Sequence, residues 1–368
     1  MNENERLHEL DSLRGLAAVG VIAWHYTNHF HASPFPSLMA PFYGHGLLLV
    51  DFFFVLSGFV LARTYWNGIR SRDLAANLRD RLARLYPLHF TMLCVVALLQ
   101  WTLVHYFDSA PFVYTFNDKW DFVLNLLLLN RTGLERGFSF NAPSWSISAE
   151  FVVNVAFLAC ISGRRKVSSI LLAVGFCVAL VAIWRNNLIS NATFSGIDND
   201  IFRAAFGFAI GVAVFKINKF IDNTHAPKLA YDAMTIMCIA CFLYYCESAN
   251  YSNIVDVTFT AACFPLLIIS ATRGEITSRV LKSTPLVFLG TISYSIYLVH
   301  FPLQLGVHLA GVAIGYEAPY ASRAFFAALI VATLALSWLT YRFIEVPGKS
   351  AIRRLLGHRN PPATAQRS

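Results

Sequence analysis

Ten stretches of this chain are apolar for long enough to cross a bilayer, and that property limits its fold more than any motif does. They run Leu13–Phe30, Gly46–Tyr65, Pro87–Phe107, Trp145–Ser162, Ser168–Trp184, Ile201–Phe215, Leu229–Tyr245, Ile254–Ala271, Pro285–Val307 and Ala324–Phe343. Most reach the roughly 17–25 residues that a spanning helix needs. Ile201–Phe215 is the shortest of them. Trp120–Asn130 is shorter still and reads as a re-entrant or interfacial segment. Composition agrees: 56% of the 368 residues are hydrophobic, 14% are charged, and the mean hydropathy is +0.53. Soluble domains carry roughly a quarter charged residues, and a soluble fold could not hide this much apolar surface. The expectation is an all-α integral membrane protein, a bundle of about ten transmembrane helices plus the short segment. It forms one transmembrane domain over 1–350, followed by a disordered cytoplasmic tail over 351–368. The first run has no small-residue cleavage site and reads as a retained anchor.

The net charge of +8 raises the question of nucleic acid, but the basic residues sit in short loops between apolar runs, where topology accounts for them. With the N-terminus in the cytoplasm, Arg63, Arg70, Arg72, Arg79, Arg81 and Arg84 fall inside. So do the clusters around Arg164, Lys216, Arg273 and Lys349. Of 29 basic residues, only Lys119, Arg131, Arg136, Arg185, Arg203 and Arg323 fall outside. The alternation requires an even number of spans and puts both termini in the cytoplasm. The seven cysteines lie in or beside apolar runs and read as packing residues.

Ionisable residues within a membrane are costly, so each is a candidate for function. On the first helix Arg14 and His25 are eleven residues apart, three turns plus roughly 20°, so they share a face about 16 Å apart along the axis. Counted from the helix starts, Asp51 and Glu150 lie a turn or so below the outer surface, and His300 reaches the outer third. Four costly groups at one depth suggest a wet cavity with acid–base chemistry. Alternatively, Arg14 snorkels to the interface and His25 is a satisfied packing residue. On the inner side Arg81 and Arg84 share a helical face, a pairing that suits a phosphate or simply obeys the positive-inside rule. Asp256 reads as polar packing. His29, His31 and His45 surround the first external loop and read as solvent-exposed rather than metal-binding. No metal is expected. No phosphate-binding glycine loop or dinucleotide fingerprint occurs.

Taken in order, these segments resemble acyltransferase family 3, the bacterial membrane O-acyltransferases of surface and exported glycans. The resemblance rests on Arg14-x10-His25, Asp51 to Gly58, Arg81-x-x-Arg84, Ser144-Trp145-Ser146 with Glu150, Tyr294 to His300, and Tyr341 to Pro347. It covers roughly Leu10 to Pro347. It implies transfer of an acyl group, commonly acetyl, from cytoplasmic acyl-CoA to a sugar hydroxyl. His25 would be the catalytic histidine and Arg14 its partner, Arg81 and Arg84 would hold the CoA phosphates, and Glu150 belongs to the matching Ser-Trp-Ser motif. Family members differ in acceptor, among them lipopolysaccharide O-antigen, exopolysaccharide, lipo-oligosaccharide, peptidoglycan and macrolide.

The residues therefore predict a multi-pass enzyme of the bacterial inner membrane. Acyl-CoA, most simply acetyl-CoA, docks on Arg81 and Arg84, and its pantetheine arm passes Arg14. His25 takes the proton from the sugar hydroxyl or carries the acyl group itself, with Glu150 or Asp51 orienting the imidazole. The expected partners are a glycan or glycolipid acceptor, membrane lipid and glycan-assembly proteins. A transporter that uses the same charges as a relay is the alternative.

Overall fold

The computed structural model describes residues 6–66, 74–162, 165–221, 226–248 and 250–355. Arg70, Arg72, Arg164 and most of the expected tail, 356–368, lie outside the described residues; 351–355 continue a helix.

The central element is α1 (His8–Phe30), which is buried along most of its length. A short helix α2 (Pro36–His45) leads through one tight turn into α3 (Leu49–Tyr65). Next comes α4 (Leu74–His105), whose 32 residues include Pro87. Pro87 was expected to begin this helix, but the helix reaches back to Leu74 and carries Arg81 and Arg84 on rigid backbone. The short α5 (Lys119–Leu126) is capped by Asp118, whose carboxylate accepts from the Asp121 N–H at 2.9 Å. Its exposed Trp120 and Val123 suit the interfacial setting expected there.

The remaining long helices are α6 (Trp145–Ser162), α7 (Arg165–Asn186), α8 (Asn199–Ile221) and α9 (Lys228–Glu247). Then follow α10 (Asn253–Thr258) and α11 (Phe264–Ala271), joined by a wide π-helical turn, and the short α12 (Ile276–Leu281). The chain ends with α13 (Thr284–Thr291), α14 (Ser293–Ile314), α15 (Arg323–Thr340) and α16 (Val346–Leu355). Among the described residues, eight helical segments are long and apolar enough to cross a membrane. Beyond these, α1 and α8 are each 23 residues long, about 34 Å at 1.5 Å per residue. Ile170, Leu171, Val174 and Val178 on α7 are exposed, an arrangement that suits lipid rather than water.

The stretch expected as one helix over Pro285–Val307 is broken. Ile292, with φ −94° and ψ 5°, separates α13 from α14. The cause is close packing on α1. A Cβ on Gly15 would sit 2.6 Å from the Gly290 nitrogen, and one on Gly290 would strike the Asp11 backbone. A second seam joins α3 to α8. Any side chain at Gly58 or Gly211 would collide with the backbone of the opposite helix, and Gly207 rests on Phe54. Gly207 and Gly211 are four apart, the small-residue spacing that lets membrane helices approach closely.

One antiparallel ribbon occurs among the described residues, β1 (Thr193–Phe194) with β2 (Ile197–Asp198), in register Thr193 to Asp198 and Phe194 to Ile197. Its two turn residues, Ser195 and Gly196, both have positive φ, as a tight two-residue hairpin requires.

Candidate active site

A cavity of about 120 Å³ opens among α1, α3, α4, α6 and α14, with Arg14, Arg81, Arg84 and Glu150 in its wall. Arg14, Leu56, Val60 and Arg84 also line a second cavity of about 460 Å³, so the two adjoin across these side chains. The larger one adds Arg6, Arg63 and Lys349, giving five basic side chains against the carboxylates of Asp11 and Glu345. This is the basic end of the bundle, where α1 begins.

Glu150 accepts from Ser57 Oγ at 2.6 Å and lies 3.9 Å from Arg81 Nη1. The expectation that it shares the level of Asp51 and His300 is corrected here. That depth was counted from a helix start at the surface, but Ser139 to Ala149 are all buried, so α6 starts inside the protein. Its next turn therefore reaches the basic cavity.

Arg14 is held by the break between α13 and α14. Its Nη2 donates to the Gly290 carbonyl at 3.1 Å and its Nε to Ser293 Oγ at 2.8 Å. A helix C-terminus leaves carbonyls without partners and carries partial negative charge, so the break creates the seat the guanidinium occupies. Asp11 also accepts from Arg14, at 3.1 Å, but shares its charge with Arg6 at 2.6 Å. Tyr294 of α14 donates to the Leu85 carbonyl at 2.6 Å and pins the arginine helix α4 in place.

The inner cavity ends at Ser146 and Tyr297, whose hydroxyls bond at 2.7 Å. Beyond them lies His25, only 3% exposed. Its Nδ1 is 2.9 Å from the Val21 carbonyl. A carbonyl can only accept, so Nδ1 carries a proton, and in the neutral ring Nε2 keeps its lone pair. The His300 ring lies 4.8 Å away and that of His29 5.3 Å away. His29 is no loop residue: it bonds Gln304 at 2.6 Å and Tyr114 at 3.2 Å.

Asp51 is placed elsewhere. It forms a bidentate ion pair with Arg203 of α8, at 2.9 and 2.6 Å, and both side chains are fully buried. Neither Asp51 nor Glu150 is bonded to His25 among the described residues. His45 is likewise buried and bonds Asp256 at 2.7 Å, with Tyr245 donating to the same carboxylate at 3.0 Å. Nearby, outside the spans, Arg131 bridges Asp198 at 3.1 Å and Asp200 at 2.9 Å. Burial and the neighbouring Asp200 charge push the Asp198 carboxyl up to about 7.

Ser57, Ser146 and Tyr297 stood inside the motif segments without assigned roles. Arg203 was counted as a loop cation. Its place at the start of an apolar run was the signal that it needed a buried carboxylate.

Among the described residues no group of histidine, cysteine and carboxylate side chains could hold a metal ion. Fold and site together define a multi-helix membrane protein with a cation-lined cleft at one end and a neutral imidazole past the cleft's floor. The chain belongs to acyltransferase family 3, whose acyltransferase domain matches residues 7–342, and it is therefore an acyltransferase rather than the transporter held as the alternative.

It is 27% identical to the acyltransferase MdmB of Streptomyces mycarofaciens, over 98% of this chain and 95% of that one. It is 25% identical to the peptidoglycan O-acetyltransferase OatA of Listeria monocytogenes and 23% identical to the O-acetyltransferase OatA of Staphylococcus aureus, over 92% of this chain in each case. It spans only 55% and 56% of those two proteins. No solved structure matches the chain.

Proposed function

We propose that this chain moves an acyl group, preferentially acetyl, from cytoplasmic acyl-CoA to a sugar hydroxyl of a surface or exported glycan, across the bacterial cytoplasmic membrane. Reading α1 and α8 as spans beside the eight apolar segments makes ten, an even number, which with a cytoplasmic N-terminus returns the C-terminus to the cytoplasm. The observation that carries the reading is the pair of adjoining cavities at the basic end, the larger one lined, among the described residues, by five cations and two carboxylates. A polyanion with a slender arm suits that shape. The names of the two OatA proteins support acetyl as the group and a glycan as the acceptor.

In this mechanism the phosphates rest on Arg84, Arg81 and the cations of the outer cavity, and Arg14 marks the passage inward. Glu150 and Ser57 fix the Arg81 guanidinium rather than the imidazole. The thioester reaches His25 when the Ser146–Tyr297 hydrogen bond opens. His25 Nε2 takes the proton of the sugar hydroxyl, whose oxygen attacks the thioester carbonyl. The CoA thiolate leaves and takes the proton back from His25. The Val21 carbonyl performs the orienting task that a carboxylate performs in serine hydrolases.

The test is binding and turnover of radiolabelled acetyl-CoA by purified protein in liposomes. Arg81→Ala with Arg84→Ala weakens acetyl-CoA binding, and His25→Ala binds but does not transfer. A well-folded wild type that binds no acetyl-CoA overturns the donor, and full transfer by His25→Ala overturns the base.

A further inference from the structure

His300 and Gln304 are buried polar residues that the mechanism leaves unused. Both follow Tyr297 on α14, and neither is in the wall of the inner cavity that Tyr297 lines. Both are fully buried. His300 directs Nδ1 at the Ile296 carbonyl, 3.3 Å away on its own helix. Nδ1 therefore carries the proton and Nε2 offers a lone pair, the same tautomer as in His25. Among the described residues His300 Nε2 has no hydrogen-bond partner, and neither has Gln304 Nε2. Gln304 Oε1 is occupied by His29 Nδ1 at 2.6 Å, which leaves its amide N–H groups to donate.

Buried polar atoms without partners are rare and call for a ligand. Here an acceptor nitrogen and a donor nitrogen stand one helical turn apart on the same helix, and the acceptor's ring lies 4.8 Å from the His25 ring. An ammonium only donates and a carboxylate only accepts, so neither satisfies both atoms. A metal ion would find two available imidazoles and no carboxylate, since His29 Nε2 already faces the Tyr114 hydroxyl at 3.2 Å; a closed site needs more ligands. A hydroxyl donates once and accepts as well. Its neighbour on the same ring would then lie at His25.

We infer that His300 and Gln304 form a positioning subsite for the acceptor: they hold the hydroxyl adjacent to the one that attacks, so the acceptor is a sugar bearing a vicinal diol. The inference rests on the acyltransfer reading above and adds the class of acceptor to it. Neither residue takes part in the proton transfer. The second hydroxyl donates a hydrogen bond to His300 Nε2, and Gln304 donates to that hydroxyl's oxygen. Together they set which hydroxyl meets His25 Nε2.

The experiment uses the purified full chain in liposomes with labelled acetyl-CoA. The acceptors are methyl glucopyranoside, methyl galactopyranoside and methyl mannopyranoside, with the mono-deoxy form at each ring position. His300→Leu is expected to raise the acceptor KM about tenfold, the worth of one buried hydrogen bond, while KM for acetyl-CoA stays at the wild-type value. His300→Gln, whose side-chain oxygen can stand where Nε2 stands, recovers most of that loss, which a purely structural role would not. Removing the hydroxyl beside the acetylated position costs the wild type the same factor and costs His300→Leu nothing further.

Equal rises in both KM values, or no recovery by His300→Gln, overturn the subsite. A wild type that binds acetyl-CoA but transfers to none of these glycosides overturns the vicinal-diol requirement. A wild type that binds no acetyl-CoA fails one step earlier, at the donor, and is told apart by that measurement alone.

Discussion

The two ends of this bundle treat charge in opposite ways. At the basic end Arg6, Arg14, Arg63, Arg84 and Lys349 share a cleft with only two carboxylates. Arg14 is held mainly by a carbonyl and a hydroxyl, so its charge stays in the cleft. At the far end Asp51 is cancelled by Arg203, Arg131 bridges two aspartates, and the rings packed on His25 are those of Trp24, His29 and His300. A cleft lined, among the described residues, by more cations than carboxylates suits an anionic ligand, whereas the fully buried Asp51–Arg203 pair serves the fold. A buried ion in a membrane protein is thus informative about function only once its partner is known.

The largest effect that would sharpen this contrast is His25→Ala. Loss of the base is expected to lower transfer by about 10²- to 10⁴-fold, with acetyl-CoA binding retained in a filter or calorimetric assay. Arg203→Met belongs to the other kind of charge. It strands Asp51 in a fully buried site and should destabilise the protein by about 3–5 kcal/mol, read as a lower thermal-unfolding midpoint in detergent. Asp51→Leu combined with Arg203→Met should recover most of it, and failure to recover would break the claim that the pair serves folding alone. Arg81→Ala should weaken acetyl-CoA binding by roughly tenfold or more, the scale of a hydrogen bond to a charged group, with no comparable loss of stability.

Asp198 gives the pH test. Its folded carboxyl titrates near 7, above its ordinary value of 3.8. Between those values the folded state holds a proton that the unfolded state has lost. Stability from this group is therefore fully present below about pH 4 and falls as pH rises toward 7, with a slope of at most about 1.4 kcal/mol per pH unit. Asp198→Asn should flatten that part of the profile. The smallest effect is Ser57→Ala, which removes one hydrogen bond to Glu150 and should cost acetyl-CoA affinity severalfold, about 1 kcal/mol.

Much of this architecture was legible in the apolar runs, because a span needs a length of unbroken hydrophobicity and little else. Arg81 and Arg84 could be paired in advance because helical spacing fixes which side chains share a face. Depth was less legible. Glu150 was placed by counting from a surface that α6 does not start at, and nothing local in Ser139–Ala149 announces burial. The break at Ile292 was hidden because the sequence is equally apolar on both sides. Its only mark is Gly290, whose meaning depends on Gly15 far away in the chain. Asp51 was joined to His25 by depth alone, and a shared depth does not make two helices neighbours.

The glycine seam between α3 and α8 has a mechanical consequence. With Gly58, Gly207 and Gly211 pressed against opposing backbone, these two helices form a stator. Ser57, Leu56 and Val60 on α3 cannot retreat without parting the seam. Any widening of the cleft falls to its other walls, α4, α6 and α14, which are tied by hydrogen bonds such as Tyr294 to Leu85 and Ser146 to Tyr297. A substituent that widened this cleft would therefore have to shift the helices that carry Arg81, Arg84, Tyr294 and Tyr297, because the glycine seam holds the opposite wall.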